Sequence, residues 1–349
     1  MAVRVQRPQD RALVLEPPQL RRHRRRRVSI VHGASLRASN GGRNHGRLAG
    51  MPARTLDAHH HLYDLETGTY PWLQLDLELD LFVGDIAPLK RSYRVENLLA
   101  DAAGANLRKS VHVQVDWDPT DPVGETAWLQ SVADEHGFPH GIVAHAHLEQ
   151  GDIEDTLVEH CAYPNVRGIR QLVQAHDDPR FGFVEPGLMA RDDWRRGFAL
   201  LERHGLSFDL QVFAHQMGEG ADLAAAFPST QIVVTHSGLP LMHEDGWFER
   251  WQDGLRLLAA RDNVALKVSG LGMMKHDWTV DDIRPVVAAA FEIFGIDRCL
   301  WGSNFPVDGL YGTYADAVAA YEQIAADLDL SADEQDAFFY RNAERVYRV

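Results

Sequence analysis

The sharpest chemical feature of the sequence is the run Asp57-Ala58-His59-His60-His61, which closes a short apolar segment. In an extended chain the side chains at i and i+2 share a face, so His59 and His61 are expected to point together and His60 away. Two imidazoles converging in this way can meet one metal ion about 2 Å from each nitrogen, or address a single carbonyl oxygen. A tag-like, solvent-exposed histidine run is the plain alternative. Two more histidines follow β-branched runs: His215, just beyond 207–213, and His236, which ends Gln231-Ile232-Val233-Val234-Thr235. One strand-end histidine is often structural; four of them suggest a shared site.

The same parity applies elsewhere. Val111, Val113 and Val115 share one face, and His112, Gln114 and Asp116 the other. Asp209 and Gln211 stand two apart, as do Lys267 and Ser269. Polar residues on one face of a buried strand cost free energy unless they pair or bind something. A site explains the pattern economically, with internal hydrogen bonding as the alternative at any single strand.

Elements must position these residues. From Met51 onward, β-branched runs alternate with longer amphipathic stretches, the pattern of βα units. Strands are expected near 54–58, 109–115, 141–147, 165–171, 207–213, 230–236, 264–269 and 298–303. Eight strands, with no Gly-x-Gly-x-x-Gly or P-loop behind any of them, favour a (β/α)8 TIM barrel over residues 51–349 rather than a nucleotide-binding open sheet. In such a barrel function gathers at the C-terminal strand ends. The longest connection, 62–92, carries alternating Leu75, Leu77, Leu79 and Leu81, with Asp76, Glu78 and Asp80 read as a solvated face. Loops of that length are usually functional, which predicts a lid or an oligomer contact.

Composition narrows the class. The 349 residues are 45% hydrophobic and 24% charged, which excludes a disordered or collagen-like chain. Cys161 and Cys299 cannot build a disulfide framework, so a cytoplasmic setting is expected. No run of about 18 apolar residues predicts a membrane span. Net charge is −15, unevenly spread: residues 1–50 hold twelve arginines against Asp10 and Glu16. This segment is expected to be an Arg-rich unstructured extension, with Met51 the better start of the normally composed chain. Nucleic-acid binding is not expected, because the strongly acidic remainder repels phosphates. A small molecule is the expected partner, and a homo-oligomer is compatible with the sequence.

Five blocks in order carry a family resemblance: Asp57-Ala58-His59-His60-His61 with Tyr70-Pro71-Trp72-Leu73, Val166-Arg167-Gly168-Ile169-Arg170-Gln171, His236-Ser237-Gly238-Leu239-Pro240, Lys267-Val268-Ser269-Gly270-Leu271-Gly272, and Trp301-Gly302-Ser303-Asn304-Phe305-Pro306-Val307-Asp308. Over roughly residues 54–349 the chain resembles the amidohydrolase-related superfamily, in its lactonase-like branch of TIM-barrel hydrolases. The resemblance implies a hydrolase that opens a sugar or dicarboxylate lactone with an activated water. Some members decarboxylate, so a metal-dependent carbon–carbon lyase is the alternative, and a non-catalytic ligand-binding barrel a third reading.

One departure bears on mechanism. Asn304 stands where the family aspartate is due, and an amide has no proton-accepting group near neutral pH. Asp308 is the substitute base if its loop folds back over the barrel mouth. Binuclear members bridge two ions with a carboxylated lysine on strand four. The four lysines here are Lys90, Lys109, Lys267 and Lys275, none of them on that strand. The resemblance therefore implies at most one divalent metal, zinc or manganese, on His59, His61 and His215 or His236, or none at all. In the same terms His236 would polarise the carbonyl, Asp308 take a proton, and Arg170 hold an anionic group or a structural ion pair. Gln114, Lys267, His276, Asn304 and Trp72 would contact substrate. Tyr63 and Trp301 would wall the pocket or fill core.

Overall fold

The computed structural model describes residues 52–75 and 80–349. The Arg-rich segment 1–50, and Asp76, Leu77, Glu78 and Leu79 of the long connection, lie outside the described residues.

Eight strands form one sheet in sequence order: β1 (Thr55–His60), β2 (Leu107–Val113), β3 (Gly141–His145), β4 (Val166–Arg170), β5 (Ser207–Leu210), β6 (Ile232–Val234), β7 (Val264–Val268) and β8 (Cys299–Trp301). Every neighbouring pair is parallel. The crossovers carry helices α1 (Val95–Asp101), α2 (Gly124–His136), α3 (Ile153–Cys161), α4 (Asp192–Phe198), α5 (Met217–Ala226), α6 (Trp247–Ala259) and α7 (Val280–Phe294); α8 (Tyr314–Asp327) follows β8, and α9 (Asn342–Tyr347) ends the chain. The starts of α7 and α8 show why these stretches turn helical where they do. Thr279 and Thr313 each cap a free backbone N–H, from Asp282 and Asp316, and the acidic side chain three residues on bonds back. The architecture is the expected (β/α)8 barrel. Strands β5, β6 and β8 stop two to three residues short of the sequence reading, because their polar ends leave the ladder and turn across the mouth.

Closure comes from side chains as much as from backbone. The segment after β8 joins β1 through Asn304 N–H to His59 O at 2.7 Å and His61 N–H to Phe305 O at 2.8 Å. Asp57 reinforces this seam by accepting from the Ser303 backbone N–H at 2.9 Å, the Ser303 hydroxyl at 2.6 Å and the Tyr314 hydroxyl at 3.1 Å. Burial pushes the Asp57 carboxyl up to about 6, against the pull of those donors.

The interior is floored by Leu56, Ala58, Val111, Val113, Val143 and Leu300 among others, packed on Tyr340 and Tyr347 from the C-terminal segment. That segment plugs the end of the barrel opposite the mouth. Expectation and structure part at β2. Its valines face the interior, and His112 is turned toward α2, accepting from Leu62 N–H at 3.0 Å, with its Nε2 3.6 Å from Glu125. The barrel floor is apolar, so β2 presents its apolar face there and satisfies its polar face beneath the surrounding helices. Parity also fails within β1. A bulge between Asp57 and His60 shifts the register against β2, so Asp57 faces the outer seam although it shares sequence parity with His59 and His61.

Candidate active site at the barrel mouth

The C-terminal strand ends enclose a cavity of about 450 Å³. Its polar floor consists of His61, Asp116, Arg170, Gln211, His236 and Asn304. Its walls come from the connections. Trp72, Leu81, Phe82 and Val83 descend from the long segment after β1, and Leu172 and Phe183 from the segment after β4. The ends of the long connection are stapled by paired backbone bonds between Tyr63 and Tyr93, both 2.9 Å, so its midsection serves as a wall.

Three imidazoles stand together at the floor. The His59 ring centroid lies 5.0 Å from that of His61 and 4.3 Å from that of His236. His61 Nδ1 donates to Val113 O at 2.7 Å, which leaves its Nε2 lone pair free. Burial, with the cationic Arg170 nearby, holds His61 well below the usual histidine range and therefore neutral. His236 is neutral by the same causes, and its Nδ1 lies 3.3 Å from the Ser269 hydroxyl.

Beneath them Lys267 and Asp209 form an ion pair at 2.5 Å, both side chains fully buried. Tyr347 donates a hydrogen bond to Asp209 at 2.8 Å, and its ring lies under the ammonium. Lys267 Nζ also approaches His59 Nδ1 at 3.4 Å. An ammonium only donates, so neutral His59 turns its Nδ1 lone pair to Lys267 and carries its proton on Nε2. That Nε2 has no protein partner.

Backbone strain accompanies the floor residues. His236 (φ 51°), Ser237 (φ 55°), Gly238 and Leu239 (φ 45°) run consecutively in the left-handed region, and Asp116 and Asn304 sit there as well. Each such non-glycine residue costs roughly 1–3 kcal/mol and persists only where its surroundings enforce it. Here Trp251 Nε1 donates to Ser237 O at 2.7 Å, and Gly270 lets β7 pass close to the His236 ring. A Cβ at Gly270 would stand 2.5 Å from His236 Nδ1.

The structure brings His59, His61, Arg170, His236, Asn304, Lys267 and Trp72 to the cavity or directly beneath it. It does not bring the other expected residues there. His215 is exposed outside the mouth, its Nε2 bonded to Ala175 O at 3.0 Å. His276 stacks on Tyr311 at 4.0 Å, and its Nε2 meets Phe82 O at 3.1 Å behind the wall. Gln114 uses its side-chain oxygen on Asp116 N–H at 2.7 Å, and only its backbone carbonyl reaches Arg170. Asp308 is held by Met273 N–H at 3.1 Å, Gly272 N–H at 3.3 Å and Asn304 Nδ2 at 3.0 Å. Burial pushes its carboxyl up to about 7 against those three donors. Because Asn304 spends its amide hydrogens on Asp308 and the Met273 sulfur, its Oδ1 is left for the cavity. Trp301 packs outside the barrel against Tyr314 and Phe339, and Tyr63 bonds Leu89 O away from the cavity.

Arg170 is buried, donating to Gln114 O and, at 3.5 Å, to Gln211 Oε1. Asp116 and Asp209 offset its charge. Asp116 and Gln211 belong to the floor although the motifs did not single them out; strand parity was their only signal, and it was shared with residues that face the helices.

The donor set does not suit a divalent cation. Lys267 makes His59 Nε2 a donor rather than a ligand, Arg170 adds positive charge, and His215 lies outside. Among the described residues no group of three or more His, Cys, Asp or Glu side chains could hold a metal ion.

Comparison with known proteins agrees with this architecture. The Amidohydrolase family profile matches residues 56–349. A Sinorhizobium fredii protein named uncharacterized protein y4mH is 46% identical over 297 residues, covering 84% of this chain and 98% of its own length. An L-fucono-1,5-lactonase of Burkholderia multivorans is 28% identical over 313 residues, covering 86% and 97%. A crystal structure of a Burkholderia multivorans amidohydrolase with bound zinc superposes with a TM-score of 0.72 at 26% identity, covering 85% of this chain and all of that one. Among the described residues no helix is long and apolar enough to cross a membrane. With a family match across nearly the whole barrel and a relative almost half identical over nearly its full length, the chain belongs to the amidohydrolase family.

Proposed function

We infer that this amidohydrolase opens a lactone by water attack at the barrel mouth, without a metal. The observation that carries this reading is the neutral His61 imidazole, with Nδ1 committed to Val113 O and Nε2 free, on the same cavity floor as Arg170 and His236. Water adds to the lactone carbonyl carbon as its proton passes to His61 Nε2. Arg170 and His236 face the developing oxyanion, where fixed donors in a site sheltered from water act most strongly. The ring C–O bond then breaks, and the leaving alkoxide takes the proton back from His61, giving the hydroxy acid. Asn304 Oδ1 accepts from the attacking water and orients it, a role that an amide fills although it cannot be the base. His59, steadied by Lys267, packs against His236 and fixes its ring. The kinship to an L-fucono-1,5-lactonase supports the reaction class.

The test is acid release from a lactone panel with and without chelator. Turnover indifferent to chelator is expected, with H61Q and H236A each at least about a hundredfold slower. Asp116 offers a carboxylate on the same floor. A larger loss in D116N than in H61Q would move the base there. Loss of turnover with chelator, restored by zinc or manganese, would overturn the metal-free reading. Decarboxylation of an aromatic acid with every lactone inert would move the assignment to a lyase, and ligand binding without turnover to a binding barrel.

A further inference from the structure

The L-fucono-1,5-lactonase relative is named for a polyhydroxylated ring, yet this cavity is built for something else. Above the floor the described wall residues are apolar. Trp72, Leu81, Phe82 and Val83 line one side, and Leu172 and Phe183 another. Phe82 stacks on Phe181 at 5.4 Å and 14° and lies 6.4 Å from Phe183, forming an aromatic shelf from two separate connections. Among the described residues these walls offer no side-chain partner to a ring hydroxyl, and a hydroxyl moved from water without a partner is disfavoured.

The floor is equally selective. Arg170 is the one Lys or Arg among the described residues lining the cavity. Its terminal nitrogens are engaged by Gln114 O and, at 3.5 Å, Gln211, its Nε alone has no partner, and Asp116 offsets its charge. A dicarboxylate would need two free cations, and a single carboxylate would compete with Asp116. The Asn304 amide hydrogens are likewise spent on Asp308 and Met273. Beyond one carbonyl and one water, the described floor residues offer a ring substituent only the Asp116 carboxylate and the Gln211 amide nitrogen.

We propose that the substrate is a neutral lactone bearing an apolar alkyl or aryl substituent, with the ring on the floor and the substituent against the Phe82–Phe183 shelf. This proposal rests on the hydrolytic reading above and deepens it. The cavity, at about 450 Å³, has room for such a substituent beside the ring. Mostly apolar walls with a few convergent polar groups are how small-molecule sites commonly obtain both affinity and orientation.

The experiment measures kcat/KM of the full chain on unsubstituted δ-valerolactone, δ-hexalactone, δ-decalactone and dihydrocoumarin, against L-fucono-1,5-lactone and 2-pyrone-4,6-dicarboxylate. Each buried methylene is worth a factor of about four, so δ-decalactone, with four more methylenes, should exceed δ-hexalactone by about 250-fold. F183S and L172N should shrink the ratio of δ-decalactone to δ-valerolactone by about tenfold. Preference for either polar lactone, or no chain-length dependence, overturns the substrate class and leaves hydrolysis standing. If no lactone opens, hydrolysis itself fails, and calorimetry with the matching δ-lactams decides the class. Tighter binding of the ten-carbon lactam than of its polyhydroxylated counterpart supports an apolar ligand, and the reverse, or no binding, overturns it.

Discussion

Replacing Asn304 by aspartate puts a carboxylate into the floor, in a place this chain has prepared for an amide. Asn304 Nδ2 donates to Asp308 Oδ1 at 3.0 Å. In N304D that hydrogen bond becomes two carboxylates facing each other. With charge centres about 4 Å apart and an effective dielectric near 20, the repulsion is about 4 kcal/mol, or about three pKa units. Asp308 already stands at about 7. The pair therefore holds one shared proton across the neutral range, as adjoining carboxylates do. A carboxyl whose folded pKa lies above its unfolded value binds its proton more tightly when folded. Stability is then retained below the unfolded pKa and lost as pH rises toward the folded one. Urea unfolding should find N304D close to the parent at pH 5 and about 1–2 kcal/mol less stable at pH 8, where the shared proton is held about one pH unit beyond the parent's titration. The double variant N304D/D308N restores a single amide donor between the two positions and should recover most of that loss. Equal stability of N304D and the parent at pH 8, or no recovery in the double variant, would refute the argument that Asp308 and Asn304 act as a donor–acceptor unit.

Three further outcomes follow from the same geometry. G270A should lower kcat at least about tenfold, with much of the fold retained, because a Cβ at this left-handed position presses on the His236 ring; unchanged kcat would show that the ring is not held in place there. K267M should destabilise by about 3–5 kcal/mol by stranding the buried Asp209 charge, and K267M/D209N should regain part of it in the same denaturant titration. Glu125, in the first turn of α2 and buried against the end of β2, is pushed by desolvation up to about 8, so its contribution turns unfavourable as pH rises from about 4.5. E125Q should match the parent at pH 5 and exceed it by up to about 3 kcal/mol at pH 7, and a pH-independent difference would count against a protonated Glu125.

Much of the site could be read from residue order alone. His59 and His61 converge because two positions separated by one residue project alike, whatever the distant surroundings. Arg170 and His236 sit at strand ends because β-branched runs announce the strands. Other residues defied the reading for a common cause. His215, Gln114 and Asp308 all stand near strand ends, but reaching the cavity depends on which way the chain turns after the ladder stops. His215 begins a turn that leads outward, Gln114 is consumed by its own loop, and Asp308 is captured by the backbone of the neighbouring Gly272–Met273 turn. Parity also cannot tell the barrel interior from the helix-facing side, which is why the polar face of β2 misled.

The sequence by itself determined the eight-strand count, the parallel order and the histidine pair, because these follow from periodicity and local chain geometry. Only the tertiary structure decided the rest. The β1 bulge sent Asp57 to the closing seam, the left-handed turn aimed His236 inward, and Lys267 set the proton on His59. Two distant connections supplied the apolar walls of the cavity. Each of these is a contact between residues far apart in the chain, whose energy depends on burial and distance, and neither quantity exists until the barrel has closed.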